Sequence, residues 1–239
     1  MKARIDTAMV LAAGMGSRLR PLTDEMPKPL INIGGEPIIV RTLKALRRAG
    51  VVKVVMNTHH FATMLEATVR ANTPAGMTVI FSREEELLET GGGIRKALKY
   101  LGEKPFFVVN SDAVWWEEKY PLLEPLAAAF DQNKHDALLA VVPINKVKEF
   151  QPLGDFKFDK RSKKLKRNEK REKWDVVYGS VHVMHPSFIA AETLEKFGLI
   201  RIWEPAMAEG RLHGFLYDFP WVEIGTHTGL HLAREMVRR

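Results

Sequence analysis

The sequence predicts an α/β protein whose doubly wound, mostly parallel sheet carries helices on both faces. Two observations support this fold class: short apolar runs alternate with segments of helical periodicity, and the polar and glycine-rich motifs come directly after the apolar runs. Such sheets form through right-handed crossovers and bind ligands beyond the carboxyl ends of their strands. With 239 residues the chain can bury one large core, so we expect a single domain over residues 1–239.

The first half of the chain provides the regular part of this alternation. An apolar run near the start predicts a buried strand, and apolar side chains at helical spacing after Pro37 predict a helix that ends at Gly50. Two more helices are predicted, one with Phe61, Leu65 and Val69 on its apolar side and one that contains Ile94. The predicted strands of this half cover residues 8–13, 51–57, 78–82 and 105–110.

The second half is less regular and contains a basic stretch. Strands are predicted over 137–142 and 176–184, and residues 217–224 precede a closing helix from about Thr226. Much of the net charge of +7 falls between these two strands, at about 155–175. No aromatic side chains interleave with the middle of that stretch to stack on bases. We therefore expect a solvated excursion and no nucleic-acid partner.

The composition is that of an ordinary globular protein, with 46% hydrophobic and 27% charged residues. Because the chain has no cysteine, disulfides and thiolate metal sites are excluded. The apolar stretch near the amino terminus is too short for a signal peptide or a membrane span. We therefore expect a cytoplasmic protein without a membrane partner.

Residues 11–30, LAAGMGSRLRPLTDEMPKPL, predict a loop that holds a triphosphate. Gly14 and Gly16 allow a tight turn whose backbone N–H groups face phosphate oxygens, and Arg18, a second arginine and Lys28 add positive charge. The dinucleotide fingerprint is excluded because its third glycine is missing. The P-loop is excluded because no Gly-Lys-Ser/Thr follows at the required spacing.

This segment is similar to the signature of the sugar-1-phosphate nucleotidyltransferases. The resemblance implies the Rossmann-like, nucleotide-diphospho-sugar transferase type of the predicted fold. It also implies an enzyme that transfers a nucleotidyl group from a nucleoside triphosphate to a sugar 1-phosphate and releases pyrophosphate. The resemblance extends from Leu11 to Gly225, and its opening motif comprises Gly14, Gly16, Arg18, Arg20-Pro21-Leu22-Thr23 and Pro27-Lys28-Pro29-Leu30.

The resemblance also assigns roles to individual residues. It implies catalytic roles for Arg18, Lys28 and Asp112, and it places Asn110 and the Tyr178-Gly179 pair beside the sugar phosphate. A second nucleotide-binding segment contains three consecutive glycines, whose backbone we expect a base to approach closely. The nucleotide-binding residues are then Leu11, Ala12, Ala13, Gly14, Met15, Gly16, Ser17, Arg18, Lys28, Glu89, Thr90 and Gly91.

Two carboxylates are candidate ligands of a Mg²⁺ cofactor. Asp112 directly follows an apolar strand, and Glu223 stands where the family has an aspartate before Ile-Gly-Thr. The family's usual Gly-Asp is Ser111-Asp112 here, and Glu223 is one methylene longer than the family's residue. Because Mg²⁺ binds oxygen at about 2.0–2.1 Å and keeps several waters, the longer arm can reach it directly or through water. The alternative is that the Glu223 carboxylate accepts a hydrogen bond from Thr226 or from the sugar.

Within the family, the short catalytic domain, the LETGGGI sequence and Trp115 resemble the uridylyltransferases of cell-wall recycling. This resemblance implies UTP and N-acetylmuramic acid 1-phosphate as substrates. Three alternatives stay open: a mannose- or heptose-1-phosphate guanylyltransferase, a phosphocholine cytidylyltransferase, and a non-catalytic nucleotide-sugar-binding regulator. The last alternative arises because Ser111 and Glu223 alter both metal positions.

Overall fold

The structure is a computed structural model that describes residues 5–147, 153–167 and 175–238. The part of the basic stretch over 168–174 lies outside the described residues. The strands are β1 (Thr7–Leu11), β2 (Asn32–Ile33), β3 (Glu36–Pro37), β4 (Lys53–Thr58), β5 (Thr78–Arg83), β6 (Phe106–Asn110), β7 (Ala113–Trp115), β8 (Ala137–Pro143), β9 (Phe156–Phe158), β10 (Leu165–Arg167), β11 (Val176–Met184), β12 (Leu212–Leu216) and β13 (Trp221–Glu223). The helices are α1 (Ile38–Arg48), α2 (Ala62–Asn72), α3 (Glu89–Leu101), α4 (Leu123–Ala129), α5 (Pro186–Ala190), α6 (Ile200–Ala208) and α7 (His227–Val237).

The main sheet confirms the predicted fold class and adds an antiparallel part. Its order is β10-β9-β11-β6-β1-β4-β5, and β8 pairs with both β11 and β12. The strands β6, β1, β4 and β5 are parallel, as their β–α–β connections predict. β11 runs antiparallel to β6 and to β8. The sheet is therefore mixed, with a parallel side formed by the first half of the chain.

Apolar side chains cover both faces of the sheet because successive residues of each strand point to opposite faces. On β1, Val10 belongs to one buried cluster with Leu43 of α1, and Met9 belongs to a second with Ile94 of α3 and Trp203 of α6. Each such side chain contributes about 1.5–3 kcal/mol when fully buried. The two clusters fix the sheet between two helical layers.

The segment before the closing helix contains two short strands. Residues 212–216 form β12, and residues 217–224 form a loop and the short strand β13. β12 pairs in parallel with β8, and Pro220, which lacks a backbone N–H, lies just before β13. The closing helix is confirmed, since α7 begins at His227 with the Thr226 hydroxyl accepting from Gly229 N at 3.1 Å.

The described part of the basic stretch contains a hairpin rather than a loop. β9 and β10 pair antiparallel, and Phe156 of β9 lies opposite Val176 of β11. Phe156, Phe158 and Leu165 are buried in the second apolar cluster, while the lysines between the two strands are exposed. Among the helices of the described residues, none is long and apolar enough to cross a membrane.

Candidate active site

In the glycine loop after β1, Gly16 is closely packed and Gly14 is not. Gly16 has φ of +64°, a left-handed conformation that favours glycine. The Thr23 hydroxyl donates to the Gly16 carbonyl at 2.9 Å, and a Cβ added at Gly16 would lie 2.9 Å from the Thr23 methyl carbon. A Cβ added at Gly14 would meet no described atom within 4 Å. The threonine of the motif therefore closes the turn, and Gly14 leaves the backbone accessible.

A cavity of about 290 Å³ opens at the carboxyl ends of β1, β4, β5 and β6. The ligand is expected at this edge, where the parallel strands end together. The predicted site residues that line the cavity are Leu11, Ala12, Ala13, Gly14, Lys28, Glu89, Thr90, Asn110 and Asp112. Its wall also contains Pro29, Asn57, Glu84, Leu87 and Ser111.

The remaining residues of the glycine loop lie beside the cavity wall. Met15 and Ser17 are exposed on the loop, and Gly16 is half-buried. The guanidinium of Arg18 lies over Gly225, since a Cβ built at Gly225 would be 3.0 Å from Arg18 Nη2. Arg18 therefore connects the glycine loop to the segment that carries Glu223.

Lys28 and Asp112 form an ion pair inside the cavity, with 2.5 Å between Lys28 Nζ and Asp112 Oδ2. Each side chain is 14% exposed. Two other oxygens of the cavity wall, Asp112 Oδ1 and Asn110 Oδ1, are buried without a hydrogen-bond partner among the described residues. Because buried acceptors are almost always paired, these two atoms indicate a place for a ligand donor or a cation.

Asn57 and Glu84, which the sequence analysis missed, connect the two sides of the cavity. Asn57 Oδ1 accepts from Ala12 N at 2.8 Å, and Asn57 Nδ2 donates to Glu84 Oε1 at 2.7 Å. Glu84 Oε2 accepts from Leu88 N at 3.0 Å, and both side chains are buried. The end of β1 is thereby joined to the start of α3. A signal was available, since both residues stand at or just after the carboxyl end of a strand.

β11 approaches the same edge from the opposite direction. Its pairing with β8 shifts register between Tyr178 and His182, and Ser180 has φ of +63°. This bulge bends the strand. The Trp221 indole donates to the Gly179 carbonyl at 3.0 Å and so fixes the bent segment. Gly179 does not line the cavity, but the antiparallel register places it next to the end of β6.

A second ribbon brings the two candidate metal ligands together. β7 and β13 pair antiparallel with Glu223 opposite Ala113, and Ile224 N donates to the Asp112 carbonyl at 2.7 Å. The two carboxylates therefore start from neighbouring backbone positions at the ligand edge of the main sheet.

Comparisons with known proteins agree with this arrangement. The nucleotidyl transferase family matches residues 7–238 of the chain. The chain belongs to the nucleotidyltransferase family. It is 36% identical over 221 residues to an N-acetylmuramate α-1-phosphate uridylyltransferase from Caulobacter vibrioides, a match that covers 91% of each protein. It is 28% identical over 243 residues to a mannose-1-phosphate guanyltransferase β-A from Xenopus laevis, covering 97% of this chain and 66% of that protein.

Solved structures show the same fold at low sequence identity. The crystal structure of HddC from Yersinia pseudotuberculosis complexed with GMP-PN superposes with a TM-score of 0.79 and 22% identity. The match covers 97% of this chain and 99% of that one. The mixed sheet with a parallel half is therefore the architecture that this nucleotidyltransferase shares with its structural relatives.

The residues present fit a magnesium ion. Among the described residues there is no group of three or more His, Asp or Glu side chains that could hold a metal. Mg²⁺ in phosphate-transfer sites is nevertheless commonly bound by one or two carboxylates together with substrate phosphates and water. The adjacent Asp112 and Glu223, with Asp112 Oδ1 lacking a partner in the described part of the chain, supply such a donor set.

The three glycines at the start of α3 have a packing role that the sequence analysis did not predict. A Cβ at Gly91 would lie 2.3 Å from the Phe197 ring, and one at Gly92 would lie 2.2 Å from the Glu195 carbonyl oxygen. A Cβ at Gly93 would lie 2.7 Å from Asn57 Nδ2. All three glycines are buried, and Gly91 does not line the cavity. Close packing against other segments of the same chain therefore accounts for these three glycines, rather than a need for accessible backbone.

Proposed function

We propose that this nucleotidyltransferase transfers UMP from UTP to N-acetylmuramic acid 1-phosphate and releases pyrophosphate. The observation that carries the chemistry is the Lys28–Asp112 pair in a cavity with two buried oxygens that have no hydrogen-bond partner in the described part of the chain. The identity of base and sugar is supported by the uridylyltransferase from Caulobacter vibrioides, which matches over 91% of both proteins.

The reaction needs positioning and charge, and no covalent enzyme intermediate. A phosphate oxygen of the sugar 1-phosphate forms a bond to the α-phosphorus of the triphosphate, and the bond from that phosphorus to the bridging oxygen of the leaving pyrophosphate breaks. Lys28 and Arg18 are the cations that would neutralise the phosphates, and the open backbone at Gly14 would allow their close approach. Such electrostatic stabilisation accounts for most of the rate in phosphoryl-type transfers.

Asp112 and Glu223 would hold Mg²⁺ as the proposed cofactor. When bound, the ion supplies charge neutralisation across the reacting phosphates. The chain's own contribution is to keep the two carboxylates on neighbouring strands and to place the Lys28 ammonium against one of them.

The proposal also assigns the protein to cytoplasmic recycling of cell-wall peptidoglycan, because N-acetylmuramic acid is a peptidoglycan sugar and UTP is a cytoplasmic substrate.

A second candidate is guanylyl transfer to mannose 1-phosphate. The observation that favours it is the 28% identity to the guanyltransferase from Xenopus laevis over 97% of this chain.

The test is pyrophosphate release from the purified protein with four nucleoside triphosphates, each against a panel of sugar 1-phosphates. We expect the highest kcat/KM with UTP and N-acetylmuramic acid 1-phosphate, and at least about a hundredfold lower turnover in Asp112→Asn. Faster release with GTP and mannose 1-phosphate would replace this assignment by the second candidate. No release with any pair would refute the enzymatic proposal.

A further inference from the structure

A buried histidine lies directly behind the tyrosine at the bulge of β11. The Tyr178 hydroxyl and His182 Nδ1 are 2.7 Å apart. His182 is fully buried and pairs with Val108 of β6 and Leu139 of β8. The Trp203 ring packs edge to face against both rings, with centroid distances of 5.1 Å to Tyr178 and 5.5 Å to His182. The histidine therefore has one fixed orientation.

Tyr178 directly precedes Gly179, which the resemblance places beside the sugar phosphate. Val181 lies opposite Val109, so the chain before Val181 continues past the carboxyl end of β6, where Asn110 and Asp112 follow, and Tyr178 itself does not line the cavity. Burial raises the pKa of the Tyr178 phenol well above its usual value, and the negative charge of Asp112 raises it further. The phenol therefore keeps its proton and lies within electrostatic range of the candidate metal ligand.

Either Tyr178 or His182 can be the donor of this hydrogen bond, and the surroundings of His182 show which of them donates. Burial lowers the pKa of His182 to about 3, so the ring is neutral and carries one proton. Nε2 is buried without a partner among the described residues. A proton on Nε2 would leave an unpaired buried donor, which costs about 1–3 kcal/mol. A proton on Nδ1 instead leaves only an unused lone pair at Nε2. A buried N–H donor without a partner is rarer in proteins than a buried acceptor without one, so the form with the proton on Nδ1 is favoured.

We propose that His182 is a positioning residue for the sugar 1-phosphate, because its Nδ1–H donates to the Tyr178 oxygen and leaves the phenolic proton free to donate to a substrate oxygen. The inference rests on the proposed nucleotidyl transfer and concerns only its sugar-phosphate side. Tyr178 would then act as a hydrogen-bond donor, and His182 would set the direction of that donor without touching the substrate.

Kinetics of matched variants test the proposal. In His182→Asn the side-chain amide can replace the Nδ1–H donor, whereas His182→Leu has similar size and no donor. We expect His182→Leu and Tyr178→Phe to raise KM for the sugar 1-phosphate about tenfold, with KM for the triphosphate within about twofold of wild type. His182→Asn should stay within about threefold of wild type for both substrates. His231→Asn, an exposed histidine of α7, is the control.

The double variant shows whether His182 acts through Tyr178. If it does, adding His182→Leu to Tyr178→Phe should cause no further rise in KM for the sugar 1-phosphate. Additive effects, or an equal rise in both KM values, would overturn the positioning role.

Nitrogen-15 NMR of the wild-type histidine side chains keeps the test independent of whether the variants fold and whether the substrates are correctly identified. A proton on Nδ1 of His182 is the expected result, and a proton on Nε2 would overturn the inference. Absence of pyrophosphate release from the wild type would count against the proposed function and would leave the NMR result to decide the hydrogen-bond direction.

Discussion

The two sides of the candidate site are built by different kinds of strand pairing. On the proposed nucleotide side, β1, β4, β5 and β6 are parallel, and their carboxyl ends meet at one edge. On the proposed sugar-phosphate side, β11 is antiparallel and reaches that edge with the residues before its bulge. Parallel strands bring polar residues together whenever these residues follow strand ends. An antiparallel strand does so only through its register and a local irregularity.

We expect the largest effect on kcat at Asp112, where the parallel side of the sheet and the β7–β13 ribbon meet. Asp112→Asn removes a carboxylate charge that pairs with Lys28 and is available to Mg²⁺. We expect a loss of at least about a hundredfold in kcat, on the order of 3 kcal/mol, with an unchanged fold. Asp218→Asn, an exposed residue paired with Lys146, is the matched control. Wild-type turnover of Asp112→Asn at ordinary magnesium would remove Asp112 from the metal site.

Glu223 tests whether the ribbon contributes a second metal ligand. Glu223→Gln keeps the length and removes the charge, and we expect a loss of about 2–4 kcal/mol in turnover. Glu223→Asp, which restores the residue usual in the family, should retain substantial activity with an altered magnesium dependence. The measurement is turnover across a magnesium titration. If Glu223→Gln follows the wild-type curve, Asp112 holds the ion with substrate and water alone.

The packing at the start of α3 predicts a change in stability. Gly92→Ala places a Cβ 2.2 Å from the backbone oxygen of Glu195, so one of the two segments must move. We expect a lower free energy of unfolding by about 1–3 kcal/mol. Gly14→Ala, where the added carbon meets no described atom within 4 Å, should change stability much less. Thermal unfolding of the two variants compares them, and equal midpoints would contradict the packing explanation.

The smallest expected effect distinguishes the two sides of the site, because it should change KM for only one of the two substrates. Asn57→Ala removes both hydrogen bonds that join Ala12 to Glu84. We expect KM for the triphosphate to rise about tenfold, roughly 1.4 kcal/mol, while KM for the sugar 1-phosphate stays near wild type. Asn72→Ala, at the exposed end of α2, is the control. A rise confined to the sugar 1-phosphate would reverse the assignment of the two sides.

The nucleotide side could be predicted largely from sequence because its residues are contiguous or follow strands directly. The glycine loop, Lys28 and Asp112 fall at the predicted edge, and the parallel β–α–β part of the fold is confirmed. Asn57 was missed because a single polar residue at the end of an apolar strand is also expected where a strand simply ends.

The sugar-phosphate side could not be predicted in the same way. The positive φ at Ser180 is not expected from the sequence, since neither glycine nor asparagine occupies that position. The adjacent Gly179 is compatible with a bulge but does not give its register, and the Trp221 indole contacts this segment through the Gly179 carbonyl. β12 was missed because its short LHGFL sequence contains a glycine and lacks a β-branched run. The packing of Gly92 required knowledge of which distant segment lies against α3.

The β7–β13 ribbon also constrains the order in which the molecule can fold. The β–α–β units of the first half join strands that are close in sequence, whereas Asp112 and Glu223 become neighbours only when opposite halves of the chain meet. Contacts between distant residues form slowly because the entropy of closing the intervening loop must be lost first. The residues that line the cavity, between Leu11 and Asp112, are synthesised before Glu223. The two candidate metal ligands therefore become neighbours only after both halves of the chain have been synthesised and have paired.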